Sequence, residues 1–96
     1  MYAIMTFLTG KHEMREEMEK IVDRQSTILK GLKGFKSHTF LFDPEVHEYG
    51  GITLWESKED AEAALAATGP RLQEALSEMI KAPPTRRIFE VYEPKT

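Results

Sequence analysis

Three histidines are the side chains of this sequence best suited to proton transfer. A neutral imidazole can take a proton near neutral pH, because its unperturbed pKa is about 6.5. His38 lies in the middle of an apolar segment and shares the parity of Phe40 and Phe42. His12 and His47 lie in polar stretches, which predicts exposed surface positions. His38 is therefore the candidate general base, and a hydrogen-bonded residue at a subunit interface fits the same pattern equally well.

Several other chemistries are excluded by residue type or spacing. The sequence contains no cysteine, so it forms no disulfide and offers no thiol nucleophile or thiolate metal ligand. No pair of histidines has helical i, i+4 spacing or a close strand spacing with a carboxylate, so no metal site is predicted. The formal charge of -3 comes from 13 basic and 16 acidic residues without a basic run, which indicates that nucleic acid is not a partner.

The apolar segment at the N-terminus is the one stretch that could suggest a membrane. Segment 2–9 is too short to span a bilayer and lacks the basic flank of a secretion signal. It leads directly into a charged helix. We therefore expect no membrane partner and a cytoplasmic location.

The hydrophobic pattern predicts four strands and two helices. Alternating or continuous apolar runs indicate strands, and apolar residues at helical spacing indicate helices. The predicted strands are 2–9, 35–42, 48–55 and 87–93. The first helix follows Gly10 and ends at Gly31 to Gly34, because glycine adopts the left-handed conformation of a C-terminal cap at little steric cost. Asp43-Pro44 separates the second and third strands, so these two form an antiparallel hairpin.

The second helix is predicted to begin at a capping sequence and to contain a break. Ser57-Lys58-Glu59-Asp60 is a variant capping box. Thr68-Gly69-Pro70 predicts an interruption, after which Pro70 occupies the first position of a new helical segment. The buried stripe of that segment is predicted to comprise Leu72, Ala75, Leu76, Met79 and Ile80.

This element order predicts an α+β fold of the ferredoxin-like βαββαβ type, formed by residues 1–96 as one domain. Right-handed crossovers place both helices on one face of a four-stranded antiparallel sheet. The strands nevertheless carry apolar residues on both faces, with Ile4 and Leu8 on one parity and Met5 and Phe7 on the other. Because an apolar face of several hundred Å² is rare on a soluble monomer, we expect a homodimer formed through the helix-free face of the sheet.

Three segments carry a family resemblance. Gly34-Phe35-Lys36-Ser37, the strand that ends in Trp55-Glu56-Ser57-Lys58 and the acidic helix after it resemble the antibiotic biosynthesis monooxygenase family. That family is a dimeric α/β-barrel group with a ferredoxin-like protomer, and the likeness spans nearly the whole chain in element order. The resemblance implies a cofactor-independent oxygenase that binds an aromatic or quinol-type small molecule between sheet and helices. It therefore implies an apolar or aromatic ligand as partner and no cofactor.

The resemblance also suggests the residues of the binding site. Trp55 is the position that transfers best, and strand parity brings Tyr49, Gly51 and Thr53 to the same side. A flat ligand can stack on the indole, although a core plug explains the same residue equally well. Two further candidates on neighbouring elements complete the predicted substrate-binding set, namely Thr6 and Met18.

The polar catalytic residues of the family are largely replaced in this sequence. Gly51 and Ala61 stand where polyketide-oxidising relatives have an asparagine and a tyrosine. Ala64 stands where many quinol-oxygenase-like relatives have a histidine, and Thr6 stands near the asparagine of haem-degrading relatives. Segment 61–80 contains no histidine to ligate haem iron. Two functions therefore stay open: a small monooxygenase with His38 as base, or a dimer that binds a ligand or serves as a scaffold without turnover.

Overall fold

The computed structural model describes residues 1–95. Four strands and two helices follow one another in the order that the hydrophobic pattern predicts. They are β1 (Tyr2–Thr9), α1 (Arg15–Lys30), β2 (Phe35–Asp43), β3 (Glu48–Trp55), α2 (Lys58–Leu76) and β4 (Thr85–Glu90). The strands pair antiparallel in the order β2-β3-β1-β4. This is the ferredoxin-like arrangement, so the predicted fold class is confirmed.

The register of β1 against β3 decides which side chains face the helices. Ile4 lies opposite Thr53, and Leu8 lies opposite Tyr49. All four residues are buried. Alternate residues of a strand share a face, so the intervening side chains form the opposite, helix-free face, as predicted. On that face Met5, Phe7, Ile52 and Leu54 remain only partly buried.

Two clusters of buried residues hold the helices against the sheet. The first is formed by Leu8, Met14, Met18, Tyr49, Leu76 and Ile80. The second is formed by Ile4, Leu29, Trp55, Ala61 and Ala64. Because the two clusters are separate, the layer between sheet and helices is not filled along its whole length.

The second helix differs from its predicted form, because α2 runs without a break through Gly69 and Pro70. Thr68 and Gly69 are buried, and the Thr68 hydroxyl donates a hydrogen bond of 2.8 Å to the carbonyl of Ala64. Packing of this face therefore outweighs the local tendency of Gly-Pro to end a helix. The predicted stripe was wrong at Ala75, whose side chain is exposed.

The ends of several elements also differ from the prediction. α1 is closed by Gly31 in a right-handed conformation with φ of -86°, and the left-handed glycine is Gly34 with φ of 83°. β4 lies earlier than predicted, because its register pairs Glu90 with Tyr2, the first residue of β1. Beyond that pair one more backbone hydrogen bond of 2.9 Å joins the Val91 amide to the Met1 carbonyl. The predicted cap of α2 is confirmed, since the Ser57 hydroxyl accepts a hydrogen bond of 3.1 Å from the Asp60 amide.

Neither of the helices within residues 1–95 is long and apolar enough to cross a membrane.

Candidate ligand-binding cavity

A half-open cavity of about 80 Å³ lies between the sheet and the two helices. Most of its wall is apolar. The lining comprises Ile4, Thr6, Leu8, Met18, Ile21, Val22, Gln25, Leu29, His38, Phe40, Tyr49, Gly50, Gly51, Thr53, Leu65, Thr68, Leu72 and Arg86. Six of the seven residues predicted from the sequence are brought together here, and they are Thr6, Met18, His38, Tyr49, Gly51 and Thr53.

The floor of the cavity follows from the strand register. Thr6 of β1 lies between Gly51 of β3 on one side and Arg86 of β4 on the other. Gly51 in turn pairs with Phe40 of β2. Gly51 has no side chain and that of Thr6 is small, so the sheet surface is open between the Phe40 ring and the Arg86 side chain. A planar ligand can lie on this part of the sheet.

His38 lies at the β2 side of this floor. It pairs with Thr53 in the register, and its Nε2 atom lies 3.5 Å from the point that a Cβ on Gly51 would occupy. The imidazole is about half buried, and this desolvation lowers its pKa below 6.5. At neutral pH it is therefore the neutral, proton-accepting form, which is the form a general base requires.

Trp55 differs from the expectation, because it does not line the cavity. Its side chain is fully buried in the second core cluster and packs edge-on against Phe35 with ring centroids 5.7 Å apart. The prediction that a ligand stacks on the indole was wrong, since no surface of the ring is available. The indole N–H instead donates a hydrogen bond of 2.8 Å to the Thr53 hydroxyl. With its oxygen accepting this bond, the Thr53 hydroxyl keeps its own proton for another acceptor.

Tyr49 forms the far wall of the cavity and joins it to the start of α1. Its hydroxyl accepts a hydrogen bond of 3.0 Å from the backbone N–H of Met14. Met14 is the residue that precedes the helix, and its own side chain provides no cap. The Tyr49 ring is buried and packs against Phe42, with ring centroids 4.9 Å apart. Tyr49 therefore holds α1 in place as well as lining the wall.

Arg86 is the residue that sequence reasoning missed. The adjacent pair Arg86-Arg87 could clamp an anion, but such a pair is more typical of a solvated strand entrance. Arg87 fits the second interpretation, since it is exposed and its guanidinium lies 4.7 Å from the centroid of the Phe89 ring. Arg86 instead lies on the helix-facing side of β4 and lines the cavity. Its parity with Ile88, another residue packed beneath the helices, was the signal that could have revealed this.

The remaining histidines lie outside the cavity lining. His12 is exposed, as predicted. His47 in the hairpin loop was predicted to be exposed and is partly buried, with a positive φ of 54°. Its carbonyl accepts a hydrogen bond of 2.9 Å from the Gly10 amide, so the loop folds back onto the end of β1. Part of the His47 ring is enclosed in this arrangement, since its Nδ1 atom is buried.

No family model matches the sequence, and neither does any curated protein. Solved structures do match. SnoaB, a cofactor-independent oxygenase from Streptomyces nogalater, has a TM-score of 0.78 and 20% identity, with 98% of this chain and 95% of SnoaB covered. The monooxygenase ActVA-Orf6 of Streptomyces coelicolor, solved with nanaomycin D, has a TM-score of 0.76 and 16% identity over 99% of this chain and 90% of its own. A further antibiotic biosynthesis monooxygenase has a TM-score of 0.77 and 10% identity over 97% of this chain and 100% of its own.

The chain has the fold of the antibiotic biosynthesis monooxygenases. The resemblance noted in the sequence is thereby confirmed at the level of structure, since one of these neighbours carries that family's name and the other two are described as an oxygenase and a monooxygenase. Identities this low show a shared fold and do not transfer a substrate. What this chain does must therefore be argued from its own cavity.

Proposed function

We propose that this protein is a small cofactor-independent monooxygenase that binds an electron-rich phenol or hydroquinone in the cavity between sheet and helices. The observation that carries the proposal is a half-buried, neutral imidazole at the edge of an apolar cavity. This arrangement suits deprotonation of a phenol, because the apolar wall holds the ring while His38 accepts the proton. The shared fold with SnoaB, which is described as a cofactor-independent oxygenase, supports the same reaction class.

The reaction balances with molecular oxygen as the sole oxidant. His38 takes the proton of one hydroxyl, and the resulting phenolate reduces O₂ by one electron. The two radicals combine to form a C–O bond, and the imidazolium returns its proton to the peroxide oxygen. Cleavage of the O–O bond and loss of the hydrogen on that ring carbon then release water. Overall a hydroquinone and O₂ give a hydroxyquinone and water, so the substrate supplies all four electrons.

The size of the cavity limits the ligand that this conformation accepts. Its volume of about 80 Å³ is roughly half that of an engineered cavity of about 150 Å³ that binds benzene. Because the cavity is half-open, a ligand of one ring can sit in it and project from its mouth. A ligand with several fused rings requires α1 and α2 to move apart. Single-ring hydroquinones are therefore the first compounds to test.

The test is oxygen uptake with a panel of hydroquinones and anthrones. We expect uptake above the protein-free background with wild type and a decrease of about 100-fold or more with His38→Gln, since general bases commonly contribute that much. His12→Gln is the matched control, because it removes an exposed histidine, and it should retain wild-type rates. If no compound gives oxygen uptake above background, the proposed monooxygenase activity is refuted.

A non-catalytic binding protein is the alternative outcome of the same experiment. The hydroxyl of Tyr49 and the indole N–H of Trp55 are engaged in structural hydrogen bonds, which leaves few polar groups for catalysis. Under this alternative a hydroquinone quenches the fluorescence of the single tryptophan without oxygen uptake. The signal is suitable because Trp55 is hydrogen-bonded to Thr53 of the cavity wall.

We further propose that the protein acts as a homodimer formed through the helix-free face of the sheet. Leu41 is 42% exposed and Phe89 is 36% exposed in the single chain, and Met5 and Ile52 of the central strands are only partly buried between them. A second copy covers such a face at a gain of about 25 cal/mol per Å² before the cost of association.

A further inference from the structure

The Arg86 side chain packs against α2, a contact that a fully solvated arginine would not make. A Cβ on Gly69 would lie 2.6 Å from its Nη1 atom. The guanidinium therefore packs directly against the backbone of α2, in a space that exists because residue 69 is glycine. This explains why a residue unfavourable for helices occupies a buried position in the middle of α2.

The guanidinium has no counterion within residues 1–95. Its Nη2 atom is fully buried and has no hydrogen-bond partner there. The ion pairs of this part of the chain join Arg15 to Glu19 and Lys36 to Glu56, not Arg86 to a carboxylate. An unpaired and half-buried cation is costly, and desolvation accordingly lowers the pKa of Arg86. An anion that enters the cavity would relieve this cost.

The rest of the lining supports an anion with a single charge. Among the cavity-lining residues that residues 1–95 supply, Arg86 is the one with a permanent charge. One guanidinium neutralises a carboxylate and matches its planar, two-oxygen geometry with two parallel N–H donors. A phosphate would keep an uncompensated charge next to an apolar wall. The site therefore favours a carboxylate over a phosphate.

The strand register also places the imidazole and the guanidinium on opposite sides of the floor. His38 is on β2 and Arg86 is on β4, the two edge strands of the sheet. Three strand spacings and an offset of two residues along the strands separate their backbones, which is about 16 Å, and the two side chains fill part of this distance. The low floor between them is formed by Gly51 and Thr6. The space between the two groups therefore suits a single ring that projects from the half-open mouth of the cavity.

We infer that Arg86 is the anion-binding residue of the cavity and that its ligand is a hydroxylated aromatic carboxylate. The carboxylate pairs with the guanidinium, the ring lies on Gly51 and Thr6, and a hydroxyl group points toward His38. That this hydroxyl is deprotonated and the ring is then oxidised rests on the proposed function. The anion site does not, because a binding protein without turnover would use it in the same way.

The test compares 2,5-dihydroxybenzoate with its methyl ester by titration calorimetry. The two compounds share the hydroquinone ring and differ in charge. We expect wild type to bind the acid about 10- to 100-fold more tightly than the ester, as a charge-assisted pair in a desolvated site allows. Arg86→Gln should remove this preference, and Arg86→Lys should retain part of it. Arg87→Gln is the matched control and should keep the wild-type preference.

Unfolding of the variants is a separate readout that keeps the result interpretable. Arg86→Met removes an unpaired, half-buried cation. It should unfold at the same or a higher denaturant concentration than wild type, and it should show no preference for the acid. The inference is overturned if wild type binds neither compound, if it binds both equally, or if Arg86→Gln and Arg86→Met still prefer the acid.

Oxygen uptake separates this inference from the proposed function. If the acid binds in an Arg86-dependent manner and no oxygen is consumed, the anion site stands and the monooxygenase is refuted. If unsubstituted hydroquinone is oxidised equally by wild type and Arg86→Gln, and the acid has no advantage, the monooxygenase stands and the anion site is refuted.

Discussion

The hydrogen bonds of the cavity divide its polar residues into those that hold the wall and those that can act on a ligand. The Tyr49 hydroxyl accepts from Met14, and the Thr68 hydroxyl donates to Ala64. The first bond ties β3 to the start of α1, and the second lies within α2. His38 and Arg86 lie outside these bonds, on opposite edges of the floor. The proposed chemistry of the site therefore depends on His38 and Arg86, two side chains that do not take part in these structural hydrogen bonds.

The burial of His38 should be visible in the pH dependence of folding. Its folded-state pKa is lowered below 6.5, so below pH 6.5 the unfolded chain binds a proton that the folded chain does not. The free energy of unfolding therefore decreases as the pH falls from 6.5 towards the folded-state pKa. Above pH 6.5 the imidazole is neutral in both states, and this effect disappears. Urea unfolding from about pH 7.5 to about 5.5 measures it against His38→Gln.

The expected signature is a difference between two pH profiles. Wild type should lose more stability than His38→Gln on acidification, by a slope of less than one proton, because His38 is only half buried. His12→Gln should follow wild type. If His38→Gln and wild type have parallel profiles, burial of the imidazole does not affect its protonation, and its proposed role as a neutral base loses its physical basis.

At the scale of elements, the two consecutive glycines of β3 have different neighbours and should respond differently to a methyl group. A Cβ on Gly51 would project over the cavity floor at 3.5 Å from His38, an ordinary contact. A Cβ on Gly50 would lie 2.5 Å from the Phe7 ring on the other face. Gly51→Ala therefore fits the strand and narrows the cavity, whereas Gly50→Ala forces an aromatic ring to move.

We expect Gly51→Ala to change the free energy of unfolding by less than about 1 kcal/mol and to weaken binding of 2,5-dihydroxybenzoate by about tenfold. Gly50 lines the cavity with its backbone, and its added methyl group would lie on the other face, against Phe7. Gly50→Ala should therefore cost about 1–2 kcal/mol of stability and leave the affinity of the folded protein unchanged. Denaturant unfolding and calorimetry measure the two effects. Equal loss of affinity in both variants would show that the ligand does not lie on the floor.

The helices and strands could be predicted from the sequence where the spacing of apolar residues within a segment determines its structure. Strand parity correctly assigned Ile4 and Leu8 to one face of the sheet and Met5 and Phe7 to the other, because alternation within a strand does not depend on what packs against it. The same logic was insufficient for α2, where tertiary packing of Thr68 and Gly69 outweighs the breaking signal of Pro70. Local pattern reports the tendency of a segment and not the surface against which it packs.

The site was predictable only in part for a related reason. Residues of β1 and β3 were assigned to the cavity because they alternate with the core. Arg86 was missed because its location depends on the pairing of β4 with β1 and on the space above Gly69, two non-local facts. Trp55 was assigned wrongly because a large aromatic residue at a strand end suits a core plug and a ligand contact equally well.

At the scale of the whole molecule, the helix-free face of the sheet sets the prediction about assembly. Ile52 lies at the centre of this face, paired with Met5 of β1 and Thr39 of β2. A lysine at this position would place a charge in the middle of the proposed interface, where it has no partner and must be desolvated. We expect wild type to sediment at about twice the chain mass of 11.0 kDa and Ile52→Lys to sediment as a monomer at micromolar concentration.

The control for this prediction is Val46→Lys, which introduces the same charge at another aliphatic residue. Val46 is 56% exposed and lies in the hairpin loop between β2 and β3, away from the face. This variant should remain dimeric. Because the cavity lies on the opposite side of the sheet, monomeric Ile52→Lys should also retain the acid preference of wild type. A wild-type protein that sediments as a monomer would refute the dimer, and the apolar residues of this face would then be exposed without a covering partner.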